Sequence, residues 1–399
     1  MPLNPETRVL FVHNFATHYT LRTFELLSQR IHASFLFYSD GSEAYWRPEF
    51  GVRSGRFPAR YLKGFSLFGT RIVPGLAVDL FARPYDAVIK CINGRFALPL
   101  SYLAARLRGK PFVLWTGIWM KLQTPLHRLV YPLTRYIYRN SDAIVTYGAH
   151  VKEFLLSQGV PEDKIFVTRH AVDNSLYSRA VPQREVARLK TSLSVPPESR
   201  ILLYLGRLER IKGLEYLLEA FARVSSQDAV LVIAGPGSLS ADLESLASRL
   251  HIAARVRFPG YVPVEEAVVY YAASYAYILP SVTTSTFKEP WGLVVNEAFN
   301  QGLPVIASDA VGAAAGGLVH DGETGLVVPE RDAVRLAAAM QRILESQALR
   351  DRLSQAARAL VANWNQEQMV DQFQAAVEFA LQRRLGASHA TSLLDAMDK

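Results

Sequence analysis

Short apolar runs separated by amphipathic stretches recur along the whole 399-residue chain, and this alternation constrains the fold more than any other feature. Runs of four to six consecutive apolar residues need cover on both faces, as the strands of a parallel sheet have. Parallel strands in turn need crossovers long enough to hold a helix. In the first half the predicted strands are RVLFV (8–12), ASFLFY (33–38), DAVIK (86–90), PFVLW (111–115) and DAIVTY (142–147). The second half repeats the scheme with RILLYLG (200–206), AVLVIAG (229–235), RVRFPG (255–260), YAYILP (275–280) and PVIAS (304–308). Leu214, Leu217, Leu218, Phe221 and Val224 recur at the spacing of one buried helix face.

At roughly 100 to 200 residues per domain, the length suits two α/β domains. The boundary is expected between Asp173 and Pro197, where charged residues, Pro182, Pro196 and Pro197 break the periodicity. The expected organisation is an N-terminal Rossmann-like domain over 1–180 and a second over 190–365. A C-terminal helix over 366–385 then packs back on the first domain, and a loose tail of small and polar residues covers 386–399. A hydrophobic fraction of 50% excludes a wholly disordered chain. The single cysteine, Cys91, excludes an intramolecular disulfide and the usual cysteine-based zinc sites, and it fits a reducing compartment. The sequence shows no charged-then-apolar leader and no apolar run near the roughly 18 residues that cross a bilayer. The expectation is a soluble or membrane-peripheral protein.

The net charge of +8 conceals an asymmetry. Residues 1–190 carry 26 Lys and Arg against 13 Asp and Glu, whereas residues 191–399 carry 18 against 23. Two domains with different partners follow, the first meeting something anionic: a nucleic acid, a lipid surface or a phosphorylated substrate.

The motifs narrow the chemistry first by absence. The strand at 8–12 leads into HNFATHYT, without G-x-G-x-x-G, and no G-x-x-x-x-G-K-[ST] occurs anywhere. No Asp-x-Asp is present to bridge a metal to a diphosphate. An anionic ligand must then be held by basic side chains and helix ends. After the strand at 200–206 comes G-R-L-E-R-I-K-G, in which Gly206 and Arg207 leave the strand end and Lys212 and Gly213 precede the next helix. Ligands of open α/β sheets sit where these cations emerge, although the segment alone reads equally as a solvated loop. More specific is K-E-P-W-G-L-V-V-N-E, residues 288–297, which follows the strand at 275–280 and a Ser/Thr-rich loop. Pro290 suits a first helical turn, which places Glu289 on the loop before the helix and Glu297 about two turns inside. The free amides of Gly292, Leu293 and Val294 then offer an anion site, and the two glutamates offer acceptors for sugar and ribose hydroxyls. The plainer alternative makes Glu289 a helix N-terminal charge and Glu297 a surface residue.

In this order and spacing, G-R-L-E-R-I-K-G, I-A-G-P-G-S-L (233–239), K-E-P-W-G-L-V-V-N-E-A, G-L-P-V-I-A-S (302–308) and D-G-E-T-G-L-V-V-P (321–329) resemble the C-terminal half of glycosyltransferase family 4. Its signature is the E-x7-E pair, here Glu289 and Glu297. S-D-A-I-V-T-Y-G-A-H-V-K-E-F (141–154) and H-A-V-D-N-S-L-Y (170–177) are similar to the family's last N-domain strand and interdomain connection. The resemblance implies an α/β protein of GT-B fold, two Rossmann-like domains facing across a cleft, that transfers a sugar from a nucleotide diphosphate donor with retention. It implies that Arg207 and Lys212 hold the diphosphate and stabilise the departing nucleotide, that Glu289 contacts the donor sugar, and that Glu297 binds the ribose. It also implies that Gly206, Trp291, Gly292, Leu293 and Val294 border phosphate and sugar, and that Gly235, Gly237 and Tyr261 border the base. No metal and no other cofactor is implied.

The N-terminal half departs from the family pattern. Where relatives have Gly-Gly after the first strand this chain reads H-N-F-A-T-H-Y-T, and where many have a His after the strand at 111–115 it reads L-W-T-G-I-W. Trp115, Thr116 and Trp119 are candidates to line the sugar or acceptor side, with a core role open for a Trp. His13 and His18 are candidates to approach the cleft, with a structural role open for each, and His170 has no assigned role. The stretch 121–140 mixes Lys121, Arg128, Arg135 and Arg139 with Leu and Tyr. It suits an anionic membrane surface, or an ordinary helix packed on its own domain and interrupted by Pro125 and Pro132. Arg53, Arg56, Arg60, Lys63 and Arg71 add charge nearby, and no nucleic-acid module accompanies it. The expected partners are therefore a nucleotide sugar, a glycan or lipid-linked acceptor and an anionic membrane, at the cytoplasmic membrane face. An epimerase or phosphorylase of the same architecture, or a silent binding relative, are the alternatives.

Overall fold

The computed structural model describes residues 4, 6–39, 41 and 54–397, with side chains as far as 384. Arg53 and the side chains of the C-terminal tail lie outside the described residues. The chain divides into two compact units. One comprises 1–121, 125–169 and 366–399, and the other 122–124 and 170–365. The division falls between Arg169 and His170, ahead of the expected stretch 173–197. The reason is local: Asn174 donates from Nδ2 to the carbonyls of Val361 and Trp364, and Trp364 donates from Nε1 to the His170 carbonyl at 3.1 Å, which ties the connection into the second unit.

In the first unit the strands are β1 (Val9–His13), β2 (Ala33–Phe37), β3 (Ala59–Tyr61), β4 (Phe65–Leu67), β5 (Thr70–Ile72), β6 (Ala87–Cys91), β7 (Phe112–Thr116), β8 (Ala143–Thr146) and β9 (Ile165–Val167). Seven of them form one parallel sheet in the order β3-β2-β1-β6-β7-β8-β9, and β4 and β5 form a separate antiparallel hairpin. Alternate side chains divide between two cores, as a pleated strand requires. Leu10 and Val12 pack with Leu76, Leu80, Leu98 and Tyr138 from the helices Pro74–Ala82, Ala97–Leu107 and Pro125–Asn140. Val9 and Phe11 pack with Phe24 of Leu21–Ile31 and with Val370 and Phe373 of the C-terminal helix Gln366–Met397.

The second unit holds β10 (Arg200–Leu205), β11 (Ala229–Ala234), β12 (Val256–Gly260), β13 (Ala276–Leu279), β14 (Val305–Ser308) and β15 (Gly325–Val328), all parallel, in the order β12-β11-β10-β13-β14-β15. The chain lays strands outward from β10 on one side, then returns to β13 on the other. The turning point lies between β10 and β13, where neighbouring loops leave in opposite directions and open a crevice at the carboxyl ends. The predicted helix face is buried on Leu214–Phe221, with Val224 just beyond it.

Three expectations change. Strands β3, β4, β5, β9 and β15 are additional: they are short or at sheet edges, so they lack the long apolar run that marks a central strand. Helix Pro125–Asn140 runs through Pro132 instead of breaking, with Pro125 as its first residue, where a missing amide costs nothing. The final helix continues to Met397, where a loose tail was expected; 386–397 contains Ala, Leu and Met and no Pro.

Phe373 is fully buried against Phe11 and Trp115, with ring centroids 6.0 and 5.4 Å apart. Phe373→Ala should therefore destabilise the first unit by about 3–5 kcal/mol. Chemical denaturation checks this, and an unchanged midpoint would show that the C-terminal helix contributes nothing to that core.

Candidate functional site

At the turning point of the second sheet, the carboxyl ends of β10 and β13 bring together the two motifs that the sequence separates by some 80 residues. Gly206 and Arg207 continue β10, a short 3-10 turn Arg210–Lys212 follows, and Gly213 (φ 64) starts the next helix. A Cβ on Gly213 would lie 2.2 Å from the Pro280 carbonyl oxygen at the end of β13, so only glycine allows the two loops to approach this closely. Gly235 (φ 133) plays the same part between β10 and β11: its Cβ would meet the Gly206 carbonyl oxygen at 1.9 Å. Tyr204 donates from its hydroxyl to the Arg207 carbonyl at 2.7 Å, and Tyr277 to that of Leu205 at 2.9 Å, which fixes the exit of β10.

That approach creates an ion pair. Lys212 Nζ donates to Glu289 Oε2, and Ser281 Oγ donates to the same oxygen at 2.9 Å. Both charged side chains are almost buried, at 12% and 9% exposure. A pair so little hydrated holds only because each charge is met by the other, and removing one partner leaves an uncompensated charge. Arg207, on the same loop, is partly buried and pairs with Glu209 at 2.8 Å.

Glu289 precedes the helix as expected, but the helix starts later, at Val294. Gly292 takes a left-handed conformation (φ 92) that delays the helix, whose first bond runs from the Val295 amide to the Gly292 carbonyl at 2.9 Å. The amides of Gly292, Leu293 and Val294 precede that bond, on backbone that is half-exposed. Glu297 accordingly lies in the first helical turn rather than two turns inside, and it is buried, not a surface residue. Burial pushes its carboxyl up to about 7, while hydrogen bonds from Tyr271 (2.6 Å) and Tyr177 favour the carboxylate and hold the rise in check.

Trp291 is held from within the unit. Its ring is buried, stacked on Trp364 with centroids 5.7 Å apart, and its Nε1 donates to Asn296 Oδ1 at 2.8 Å. Asn296 in turn donates to the His170 carbonyl at 3.2 Å, which gives His170 a place: its backbone anchors this turn. Trp291 thus packs beneath the turn that carries Gly292. Gly237 lies after β11, where a Cβ would meet the Leu208 carbonyl oxygen at 2.2 Å, and Tyr261 follows β12 and is exposed. Ser281, Tyr271 and Tyr177 were not singled out from the sequence. Ser281 carried a weak signal, its place in the Ser/Thr-rich loop; Tyr177 carried one as the last residue of the 170–177 stretch, and Tyr271 carried none.

Thr116 and Trp119 belong to the first unit. Thr116 is buried, its hydroxyl oxygen accepting from the Ile118 amide at 3.1 Å, and Trp119 is half-buried with its ring edge-on to His150 at 4.9 Å. Trp115 is a core residue, between Phe11, Phe373 and Tyr147. His13 ends β1, its Nδ1 3.1 Å from the Phe15 carbonyl, and His18 lies edge-on to Tyr19. Among the described residues no three His, Cys, Asp or Glu side chains converge to hold a metal ion.

A chain with two parallel Rossmann-like halves of this kind has the GT-B fold of glycosyltransferases. The structure of HepE from Anabaena in complex with UDP-glucose shares it, with a TM-score of 0.72 over 95% of this chain and 100% of that one, at 19% identity. The family model "Glycosyltransferase Family 4" matches residues 16–176, and "Glycosyl transferases group 1" matches 186–360. The chain belongs to glycosyltransferase family 4. It is 34% identical over 193 residues to a D-inositol 3-phosphate glycosyltransferase of Corynebacterium diphtheriae, covering 46% of this chain and 43% of that relative. It is 28% identical over 289 residues to the lipopolysaccharide core biosynthesis glycosyltransferase LpsE of Rhizobium meliloti, covering 70% of this chain and 79% of the relative.

The raised Glu297 sets a pH dependence of stability. Its folded pKa of about 7 lies above the ordinary 4.5, so the native state holds a proton that the unfolded chain has released between those values. Stability of the unliganded protein should fall as pH rises from about 4.5 to 7, by an amount on the order of 3 kcal/mol, and level off above. Glu297→Gln should lose that slope; parallel melting curves for both proteins across the interval would refute the assignment.

Proposed function

We propose that the protein transfers a sugar from a nucleotide diphosphate donor to a hydroxyl acceptor with retention of anomeric configuration and without a metal ion. The observation that carries this reading is the buried Lys212–Glu289 pair at the turning point of the second sheet. Without ligand the two charges neutralise each other. A donor diphosphate draws Lys212 and Arg207 to its oxygens, and Glu289 then takes hydrogen bonds from hydroxyls of the sugar in place of the ammonium.

The charge that develops on the departing diphosphate is the quantity to be stabilised, and fixed cations in a site of low hydration do this at little reorganisation cost. Gly292, Leu293 and Val294 add amides to the phosphate or sugar, Glu297 accepts from the ribose diol, and Gly235, Gly237 and Tyr261 border the base. Retention is served if the acceptor oxygen approaches on the face the diphosphate leaves. The bond from the anomeric carbon to phosphate oxygen breaks, a bond to the acceptor oxygen forms, and the acceptor proton passes to the departing phosphate. UDP-glucose is the first donor to test, because HepE is known in complex with it.

The acceptor is a lipid-linked or growing glycan, as the lipopolysaccharide-core relative suggests. The first unit supports this at an anionic membrane face on the cytoplasmic side. Helix Pro125–Asn140 exposes Leu126, Leu129 and Leu133, and beside it lies a concavity of about 730 Å³ lined by Lys121, Arg135 and Arg139 with Tyr131 and Tyr136. Thr116 and Trp119 are assigned to the sugar or acceptor side.

Lys212→Ala should weaken UDP binding at least tenfold by calorimetry, and Glu289→Gln should abolish transfer while leaving circular dichroism unchanged. Transfer should persist in excess EDTA. Equal UDP affinity in the Lys212 variant, or full turnover in the Glu289 variant, removes that residue from the site.

A further inference from the structure

The exposed apolar side chains are unevenly placed. Of the 17 large hydrophobic residues exposed among the described residues, 13 lie between Tyr61 and Tyr136. Over residues 54–140 the sequence also carries 14 Lys and Arg against two acids, Asp79 and Asp86. Both acids are already paired, Asp79 with Arg60 and Arg83, and Asp86 with Arg8 and Lys110.

Within this stretch one feature has no account inside the fold. Strands β4 and β5 form a hairpin whose register pairs Leu67 with Thr70, leaving Phe68 and Gly69 as a two-residue turn. Both have positive φ, 46 and 67. A turn of this kind favours Asn-Gly or Asp-Gly, because a bulky side chain in the left-handed region is strained. Here the first position is a phenylalanine, and burial does not compensate it: Phe68 is 95% exposed, with Phe65 and Leu67 beside it at 54% and 49%. A Cβ built on Gly69 meets nothing within 4 Å, so the tip stands in open space.

The hairpin is not loose at its base. Leu62 before it and Val73 after it are buried in the core with Leu76 and Leu80, and Arg71 Nε donates to the Tyr38 carbonyl at 3.0 Å. A rigidly rooted apolar tip, strained at its apex and set in a segment whose surface charge is almost wholly positive, complements an interface with anionic headgroups above hydrocarbon. A protein partner would need acidic groups around an apolar pocket, whereas an anionic bilayer supplies both everywhere.

We propose that the hairpin Phe65–Ile72 inserts its tip, Leu67 and Phe68, into an anionic lipid surface and so docks the first unit on the membrane. This rests on the proposed transfer from a nucleotide sugar to a membrane-side acceptor and names the element that makes the membrane contact.

The test uses the full chain with vesicles of phosphatidylcholine alone or mixed equally with phosphatidylglycerol. The protein should float with the mixed vesicles and not with the neutral ones, and the double substitution Leu67→Ser, Phe68→Ser should bind about tenfold more weakly, as the loss of an inserted aromatic and a leucine requires. In Phe68→Trp the emission should shift to the blue on mixed vesicles and be quenched by brominated acyl chains. Binding without blue shift or quenching would overturn insertion. So would equal vesicle binding by the double serine variant, or a concentration-dependent dimer lost in that variant, which would give the tip to a second copy of the chain. UDP calorimetry on the same samples separates the two readings: intact UDP binding without flotation sinks only the docking, and flotation without UDP binding sinks only the donor site.

Discussion

The second unit depends on a parallel sheet whose strand order reverses between β10 and β13. A parallel sheet sends every strand-to-helix loop out of one edge, and at the reversal two of those loops part and leave room between them. Everything assigned to the donor follows from that point. The basic loop leaves β10, the loop carrying Glu289 leaves β13, and Gly213 lets them approach until Lys212 and Glu289 form an ion pair. The glycines permit, and the ion pair results.

A buried ion pair is weak evidence of stability, because desolvation offsets much of the attraction. Its value here is different. It places two opposite charges, both nearly buried, in contact where the two loops meet. Around it the supporting shell is aromatic: Tyr204 and Tyr277 hold the end of β10, Tyr271 and Tyr177 hold Glu297, and Trp291 with Trp364 holds the turn that carries Gly292. Each of these side chains fixes the backbone or carboxylate that it touches.

The first unit distributes its apolar residues by another logic. One face of its sheet is closed by Leu21–Ile31 and the C-terminal helix, and the aromatic core of Phe11, Phe24, Phe35, Trp115 and Phe373 lies there. The other face is covered by helices that bury one side and expose leucines on the other, and the hairpin is rooted in the same core by Leu62 and Val73 while its tip stays outside. Stability within the unit explains the first arrangement and leaves the second unexplained, which is why the exposed face reads as an interface.

Much of the fold was legible in the sequence. Ten strands stand within a residue or two of their apolar runs, because a strand covered on both faces has to be continuously apolar whatever its neighbours are. The E-x7-E pair and the basic loop were legible too, since spacing along a chain survives folding. The short edge strands were not, because an edge strand needs no such run, and neither was the start of the helix at Val294, which the positive φ of Gly292 delays beyond Pro290. Residue by residue, the sequence determined which segments become strands and helices and which side chains can carry charge to a strand end. Only the tertiary structure decided that Lys212 meets Glu289, that Trp291 and Trp115 turn inward, that Glu297 is buried under two tyrosines, and that Phe68 stands outside. Those outcomes depend on contacts between residues far apart in the chain, and local pattern carries no record of distance in space.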